Sequence, residues 1–232
     1  MSLRPKLVVD WCSHAAAAYA VTHWHYSRTM PVGKLVHLGV WEADVFIGAI
    51  VYGWGATHQL GPSFGVPMTA CTELVRVALT THGTPVSKLL AISVRMFRQH
   101  CPGVRLLVAF ADTSQGHLGG IYQAGNWLYT GMTKHNAAIL YRGKILHQRA
   151  FTGHNFGTPR KPLPASATKI RGPAKHRYCY PLDEAMRLQL LPRSLPYPKR
   201  AISIGADAPT VQVGEGGASP TMALCSGNSA YE

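Results

Sequence analysis

Thr72-Glu73-Leu74-Val75-Arg76-Val77-Ala78-Leu79, then Thr84-Pro85 opening a segment that runs to His100, then Val104-Arg105-Leu106-Leu107-Val108-Ala109-Phe110: this run decides the fold. The first stretch is rich in β-branched and apolar residues and reads as a strand. Thr84 stands as N-cap and Pro85 at the first helical position. Leu89, Ile92, Met96 and Phe97 follow at helical spacing until Pro102-Gly103 stops the helix. The last stretch is almost continuously apolar, as expected of a strand buried on both faces. Strand, helix, strand in this order requires a sheet that is at least partly parallel.

Working upstream, Lys6–Trp11 reads as a short strand, and Ser13 caps an alanine-rich helix that reaches about Thr22. Leu35–Trp41 and Val45–Tyr52 form a hairpin around Glu42-Ala43-Asp44. Gly53–Met68 is a long Gly- and Pro-containing loop of functional character. Downstream, Asp112-Thr113-Ser114 opens a short Gly-containing helix to about Gln123. Asn126–Thr130 and Ala137–Tyr141 are closing strands, and a short helix lies near Asp183–Leu190. Residues 201–232 are Gly, Ala, Ser and Pro without periodicity and read as a disordered tail.

The chain has 232 residues, of which 47% are hydrophobic and 14% charged, a composition that sets disorder aside. No stretch approaches the roughly 20 apolar residues of a membrane span, and the N-terminus lacks a signal-peptide core. Five scattered cysteines without a CxxC spacing read as reduced thiols of a cytosolic protein. The net charge of +13 is concentrated: residues 134–200 hold 14 of the 23 Lys/Arg against only Asp183 and Glu184. Tyr141, Phe151, Phe156, Tyr178 and Tyr180 are interleaved with these cations. Cations for phosphates and flat rings for unstacked bases point to a nucleic-acid partner.

Four segments carry reactive groups. His23-Trp24-His25-Tyr26-Ser27-Arg28 places two imidazoles, a phenol, a hydroxyl and a cation just past a helix. His23 and His25 would share a metal on an extended chain, yet no third ligand stands nearby, and no metal site is expected. In Glu73–Leu79, simple alternation puts Glu73, Val75, Val77 and Leu79 on one face and Leu74, Arg76 and Ala78 on the other. A charge such as Arg76 in a central strand must be paired or face a cleft. The loop Thr80-Thr81-His82-Gly83-Thr84, with Ser87 and Lys88 just beyond it, offers an anion site at a helix start. Asp112 ends a strand at the edge where α/β sheets place ligands. Ser114, Gln115 and Gly116 follow it, and Tyr122 comes shortly after. The structural alternatives are an internally paired Arg76 and an Asp112 that merely caps a helix.

The order of elements resembles that of GNAT-type acyltransferases. The expected fold is thus α/β, a GNAT-like mixed central sheet flanked by helices with a basic, loop-rich C-terminal extension. The expected domains are a catalytic core over 1–145, a nucleic-acid-binding extension over 146–200 packed on it, and the tail. In GNAT enzymes the loop before the central helix holds the coenzyme A pyrophosphate. That resemblance makes Glu73, Thr80, Gly83, Thr84, Ser87, Lys88, Ser114, Gln115 and Gly116 candidate cofactor contacts. Only Gly83 fits the usual loop pattern, because Pro85 stands where a second small residue belongs.

His25-Tyr26-Ser27, Glu73-Leu74-Val75-Arg76-Val77, Ala111-Asp112, Gly120-Ile121-Tyr122-Gln123-Ala124 and His176-Arg177-Tyr178-Cys179-Tyr180-Pro181-Leu182-Asp183 together resemble the phage Mom family of DNA-modification proteins, over roughly residues 20–200. The resemblance implies addition of a carbamoylmethyl-type group to adenine N6 in double-stranded DNA, shielding it from restriction. The adenine would be flipped from the stack. It makes His25, Tyr26, Ser27, Arg76, Asp112 and Tyr122 the catalytic candidates, with Asp112 or His25 as base, Tyr26 and Tyr122 gripping base or donor, and Arg76 neutralising the donor's charge. The donor is an acetyl-CoA or other acyl-CoA, or alternatively an activated glycine such as glycyl-tRNA, since glycyl and carbamoylmethyl adenine are isomers. Two other functions compete: a non-catalytic DNA-binding protein on this fold, and a small-molecule N-acetyltransferase.

Overall fold

A computed structural model describes residues 6–54, 59–135, 137–147 and 163–199. The tail over 201–232, the cations Arg149, Arg160 and Lys161 and the rings of Phe151 and Phe156 lie outside the described residues.

Strands β1 (Leu7–Trp11), β2 (Leu35–Glu42), β3 (Val45–Gly53) and β4 (Cys71–Leu79) follow one another across a sheet, all antiparallel neighbours. Helix α1 (His14–Trp24) interrupts them. Ser13 caps it by accepting a hydrogen bond from the Ala16 N–H at 3.2 Å. The β2–β3 turn uses Ala43 and Asp44 with φ of 52° and 62°, the twist-compatible geometry of a two-residue hairpin. After α2 (Val86–His100) comes β5 (Leu106–Asp112), which pairs in parallel with β4. Short α3 (Gly120–Gln123) leads to β6 (Leu128–Met132).

The sheet closes with β10 (Lys175–Pro181), inserted antiparallel between β5 and β6 to give the order β1-β2-β3-β4-β5-β10-β6. The α/β GNAT-like mixed sheet is therefore present, with one parallel pair at its centre. Its seventh strand comes from residues 175–181, which sequence reading assigns to the extension. The central sheet therefore takes in a strand from beyond the expected boundary at residue 145. Conversely, β7 (Ala137–Tyr141) is not a closing strand of the main sheet. It pairs with β8 (Lys144–His147) and β9 (Thr168–Arg171) in a separate three-stranded sheet. Helix α4 (Glu184–Leu190), followed by a 3₁₀ turn over Leu191–Arg193, is capped by Asp183, which accepts from the Met186 N–H at 2.8 Å. No helix among the described residues is long and apolar enough to cross a membrane.

Two apolar layers cover the sheet. Leu89, Leu90, Val94 and Phe97 of α2 pack with Leu38, Ile50, Tyr52, Leu107, Tyr122 and Tyr178. Ala17, Ala20 and Val21 of α1 pack with Ala49, Val51 and Ala78. The small residues of that second layer let α1 lie close to β3 and β4. Met186 and Leu190 of α4 cover Leu106, Val108 and Cys179 together with Leu60, Phe64 and Val66 of the Gly53–Met68 loop.

Two features position the site. The β4–β5 pairing spans only Cys71↔Leu106 to Leu74↔Ala109, although β4 continues to Leu79 and β5 to Asp112. The two parallel strands thus part at their C-terminal halves. In addition, β4 carries a bulge opposite Val51/Tyr52. The extra residue breaks the simple alternation expected there. Leu74, Val77 and Leu79 pack on the α2 side, whereas Val75 and Ala78 pack on the α1 side.

Candidate functional site

A cavity of about 860 Å³ fills the gap between the parted strands. That volume lies in the range of small-molecule sites. Its walls come from Trp24 at the end of α1 and His25 and Tyr26 beyond it, from Leu74–Val77 of β4, from Phe110–Asp112 of β5, from Gly116–Gln123, and from Pro198 and Lys199. Of the residues named from sequence, His25, Tyr26, Arg76, Asp112, Gly116 and Tyr122 meet there, although residue 25 and residue 122 are almost a hundred positions apart.

Ser27 stands behind this wall and orients His25. Its backbone N–H donates to His25 Nδ1 at 3.1 Å, and its Oγ lies 2.8 Å from the same nitrogen. A backbone N–H can only donate, so Nδ1 is the acceptor and the ring proton sits on Nε2. The imidazole is also kept neutral, its pKa lowered to about 4 by burial first, then by the charges of Arg76 and His117. A neutral ring with Nδ1 engaged has an N–H to offer and no free lone pair. His25 is built as a hydrogen-bond donor, and the general-base alternative does not suit its geometry. His23 goes elsewhere: its Nδ1 bonds the Tyr19 carbonyl at 2.8 Å and its ring stacks on Tyr19.

Asp112 is the carboxylate of the cavity wall. Oδ1 accepts from Ser114 N–H at 3.0 Å and Ser114 Oγ at 2.6 Å, and Oδ2 pairs with Lys175 Nζ at 3.0 Å. Burial alone would raise its pKa, but these hydrogen bonds and the Lys175 charge outweigh it and hold the carboxyl below the usual range. Asp112 also caps the 3₁₀ turn Thr113–Gln115, so the capping role coexists with a place in the cavity. Ser114 serves the carboxylate, and Gln115 does not line the cavity.

Arg76 donates to the Thr29 carbonyl through Nε and NH2, and to the Val75 carbonyl at 2.7 Å through NH1. Partial burial lowers its pKa, yet a guanidinium stays charged, so a fixed cation faces the cavity. Tyr26 is 55% exposed, its ring tilted by 32° against His25 with ring centres 4.3 Å apart and edge-on to His117. Its hydroxyl is kept protonated by burial and by Asp112. Tyr122 is buried, and that burial raises its pKa as well.

The candidate phosphate loop behaves differently. Glu42, at the end of β2, accepts from the Gly83 N–H at 2.9 Å and from Thr84 Oγ1 at 2.5 Å. Thr84 consequently does not cap α2, which starts at Val86 after Pro85 with no side-chain cap. These hydrogen bonds, Thr84's foremost, lower the pKa of Glu42. The loop's donors already hold an anion of the protein's own, and as folded the loop does not fit a coenzyme pyrophosphate. Glu73, Thr80, Gly83, Thr84, Ser87 and Lys88 do not line the 860 Å³ cavity.

Sequence reading missed Lys175 as partner of Asp112, and His117 and Trp24 as wall residues. Lys175 faces Asp112 through the β5–β10 register, a pairing no local pattern announces. His117 and Trp24 were within reactive segments but had no distinguishing spacing. Among the described residues no three His, Cys, Asp or Glu side chains come together to hold a metal ion.

A mixed sheet whose two parallel strands part around a cavity lined by both apolar and charged side chains defines this chain as a GNAT-like α/β protein. The Mom protein family matches residues 6–199, and the chain belongs to that family. It is similar to a relative from Escherichia phage Mu called methylcarbamoylase mom, 29% identical over 134 residues, which span 54% of each chain. The chain thus spans about half the length of that curated relative. Solved structures with a similar course include an N-acetyltransferase from Staphylococcus aureus Mu50 at 12% identity, covering 76% of this chain and 98% of its own, TM-score 0.44. Another is YncA, a putative acetyltransferase from Salmonella typhimurium with its cofactor acetyl-CoA, at 14% identity, 77% and 95% coverage and TM-score 0.43. A third is FeeM, an N-acyl amino acid synthase from uncultured soil microbes, at 12% identity, 82% and 97% coverage and TM-score 0.46.

Proposed function

We propose that this chain is a phage DNA-modification transferase that adds a small carbamoylmethyl or isomeric glycyl group to adenine N6 in duplex DNA, acting in the host cytoplasm to shield that DNA from restriction. The observation that carries the reading is the convergence of His25, Tyr26, Arg76 and Asp112 on one cavity in a member of the Mom family.

The chemistry follows from the groups present. The adenine amine is a weak nucleophile because its lone pair is delocalised into the ring, and inside a duplex it is out of reach. Flipping the base costs roughly a few kcal/mol, offset in part by stacking on the exposed ring of Tyr26, worth about 1–3 kcal/mol. In an acyl step, the N6 lone pair forms a bond to the donor's carbonyl carbon. The carbonyl electrons move to oxygen and return as the bond to the carrier breaks, and the carrier leaves with its electron pair. His25 Nε2–H and the Arg76 guanidinium stabilise the negative charge on that oxygen. Once its lone pair is committed, N6 is strongly acidic, so a weak but ionised base suffices to take its proton. Asp112, held ionised by Ser114 and Lys175, is suited to that task.

This acyl step gives the glycyl amide, and the donor that balances it is an activated glycine such as glycyl-tRNA. The isomeric carbamoylmethyl product requires a later rearrangement that exchanges the two nitrogens between the carbonyl and methylene carbons. An acetyl-CoA donor, suggested by analogy of fold, requires a nitrogen source besides. A coenzyme would have to be held without the amide of Gly83. The cations Lys134, Arg142, Lys169 and Arg171 lie on and beside the small sheet, whose strand β9 precedes β10 and the Lys175 that pairs with Asp112, and are proposed to track the DNA backbone. Nucleoside mass spectrometry of plasmid DNA from cells expressing the chain tests the reading. A heavier deoxyadenosine is expected, and its fragmentation separates glycyl from carbamoylmethyl linkage. Unmodified deoxyadenosine with soluble, expressed protein would overturn it.

A further inference from the structure

Helix α2 carries no acidic residue, and Lys88, Arg95 and Arg98 are all exposed on it. Their spacing of seven and three residues places them on one helix face. They rim a second cavity of about 370 Å³, floored by Gly125, Trp127 and Tyr180. No acidic side chain lines it, and no ion pair among the described residues uses any of the three cations. Arg98 is pre-set: its guanidinium lies over the Tyr180 ring, 5.5 Å from the centroid, while Nε donates to the Leu182 carbonyl at 3.2 Å.

Three observations narrow what this groove can take. The cations extend over ten helical residues, roughly 15 Å of axis. Side chains so spread cannot close on a single phosphate, but they match a row of them. The loop just before the same helix already holds the Glu42 carboxylate, which disfavours a polyanion at that end and leaves the flank of α2 as the cationic surface. Finally, neighbouring residues line the two cavities: Gly120–Gln123 of α3 line the larger one and Gly125, two residues beyond α3, lines the groove. A turn in which Gly125 N–H and Trp127 N–H both donate to the Tyr122 carbonyl fixes this juxtaposition.

We infer that the Lys88–Arg95–Arg98 face of α2 is a second DNA contact, binding the backbone phosphates of duplex flanking the adenine that enters the main cavity. The inference rests on the proposed DNA-modifying function and extends it by assigning where the flanking duplex runs. Contacts of this kind fix register and orientation without reading sequence. They matter for a flipping enzyme because the unstacking cost must be met by binding elsewhere on the duplex.

Lys88→Gln/Arg95→Gln, which leaves the tethered Arg98 in place, tests it by fluorescence anisotropy across a salt series, with a 30-base-pair duplex, a 6-base-pair duplex and an RNA hairpin. Each phosphate contact contributes about 0.9 to the slope of log K against log salt. The expected result is a slope shallower by about 2 on the long duplex and unchanged on the short one. An unchanged slope on the long duplex, with DNA still bound and deoxyadenosine still modified in cells, would overturn this inference alone. A slope lost on the RNA hairpin but not on the long duplex would overturn it in favour of an RNA carrier. Failure of the wild type to bind or modify DNA would remove the function on which it rests.

Discussion

Two loops leave the C-terminal ends of the two parallel strands, and they have opposite fates. Residues 80–85 follow β4 and residues 113–119 follow β5; both combine Thr or Ser with Gly at a point where an α/β sheet can bind a ligand. The first is sealed from within, its Gly83 N–H and Thr84 hydroxyl bound to Glu42. The second lies along an open cavity, its Ser114 holding the Asp112 carboxylate and Gly116–Gly119 forming the wall. A loop's capacity to bind an anion is thus set by what the neighbouring strand brings to it. The β2–β3 hairpin delivers Glu42 to one loop, while the separation of β4 from β5 leaves the other open.

The largest effect belongs to the open side. His25→Phe removes the Nε2–H while keeping a ring, and should lower the modification rate by about 10²–10³, the loss typical of one oxyanion donor. A timed nucleoside assay checks it, and a rate within threefold of wild type would mean that His25 does not touch the reacting oxygen. Next comes Gly119→Ala. Gly119 has a φ of 81°, and an added Cβ would overlap the ring of Tyr178. Urea denaturation should show a loss of about 2–4 kcal/mol, with the open loop's wall displaced.

Variants of the sealed loop should do less. Glu42→Ala frees the Gly83 N–H and Thr84 hydroxyl to water, at a cost of about 0.5–1 kcal/mol, the range of a solvent-screened cap. That contribution has a defined pH dependence. The folded-state pKa of Glu42 is depressed, so its stabilisation is present above the unfolded carboxyl pKa and is lost as pH falls through the folded value. Wild type and Glu42→Ala should therefore converge in denaturation midpoint at acid pH; a difference that grows on acidification would reverse the assignment. The smallest effect is Gly83→Ala. Its Cβ would sit 3.6 Å from Glu42 Oε1, an ordinary contact, and no positive φ is required there. Stability should stay within about 0.5 kcal/mol of wild type, unlike Gly119→Ala measured alongside it.

Much of this contrast is written locally. The Ser13 cap, the Ala43-Asp44 turn and the apolar β5 run follow from residue type and spacing, and the structure places them within a few residues of expectation. Arg76 stood out because a charge is costly in a central strand, Asp112 by its place at a strand's end, and His25 and Tyr26 by the density of reactive groups past a helix, whereas Tyr122 was named through the family resemblance. What could not be read was long-range pairing. The Asp112–Lys175 ion pair depends on β10 entering the sheet beside β5, and the Glu42–Gly83 bond joins residues 41 positions apart. The β4 bulge likewise arises from register against β3, and it moved Val75 and Val77 to opposite layers. The Thr84 hydroxyl, a plausible cap by type, was taken by a carboxylate that local sequence does not reveal.

Under the proposed function, group transfer to adenine belongs to the parted-strand cavity and not to the loop before α2. Nucleoside mass spectrometry of DNA from cells expressing wild type, Asp112→Asn or Glu42→Ala at matched protein levels tests it directly. Modified deoxyadenosine should appear with wild type and Glu42→Ala and fall by at least about 10²-fold with Asp112→Asn. Full modification by Asp112→Asn, together with its loss in Glu42→Ala, would contradict the claim and return the chemistry to the loop before α2.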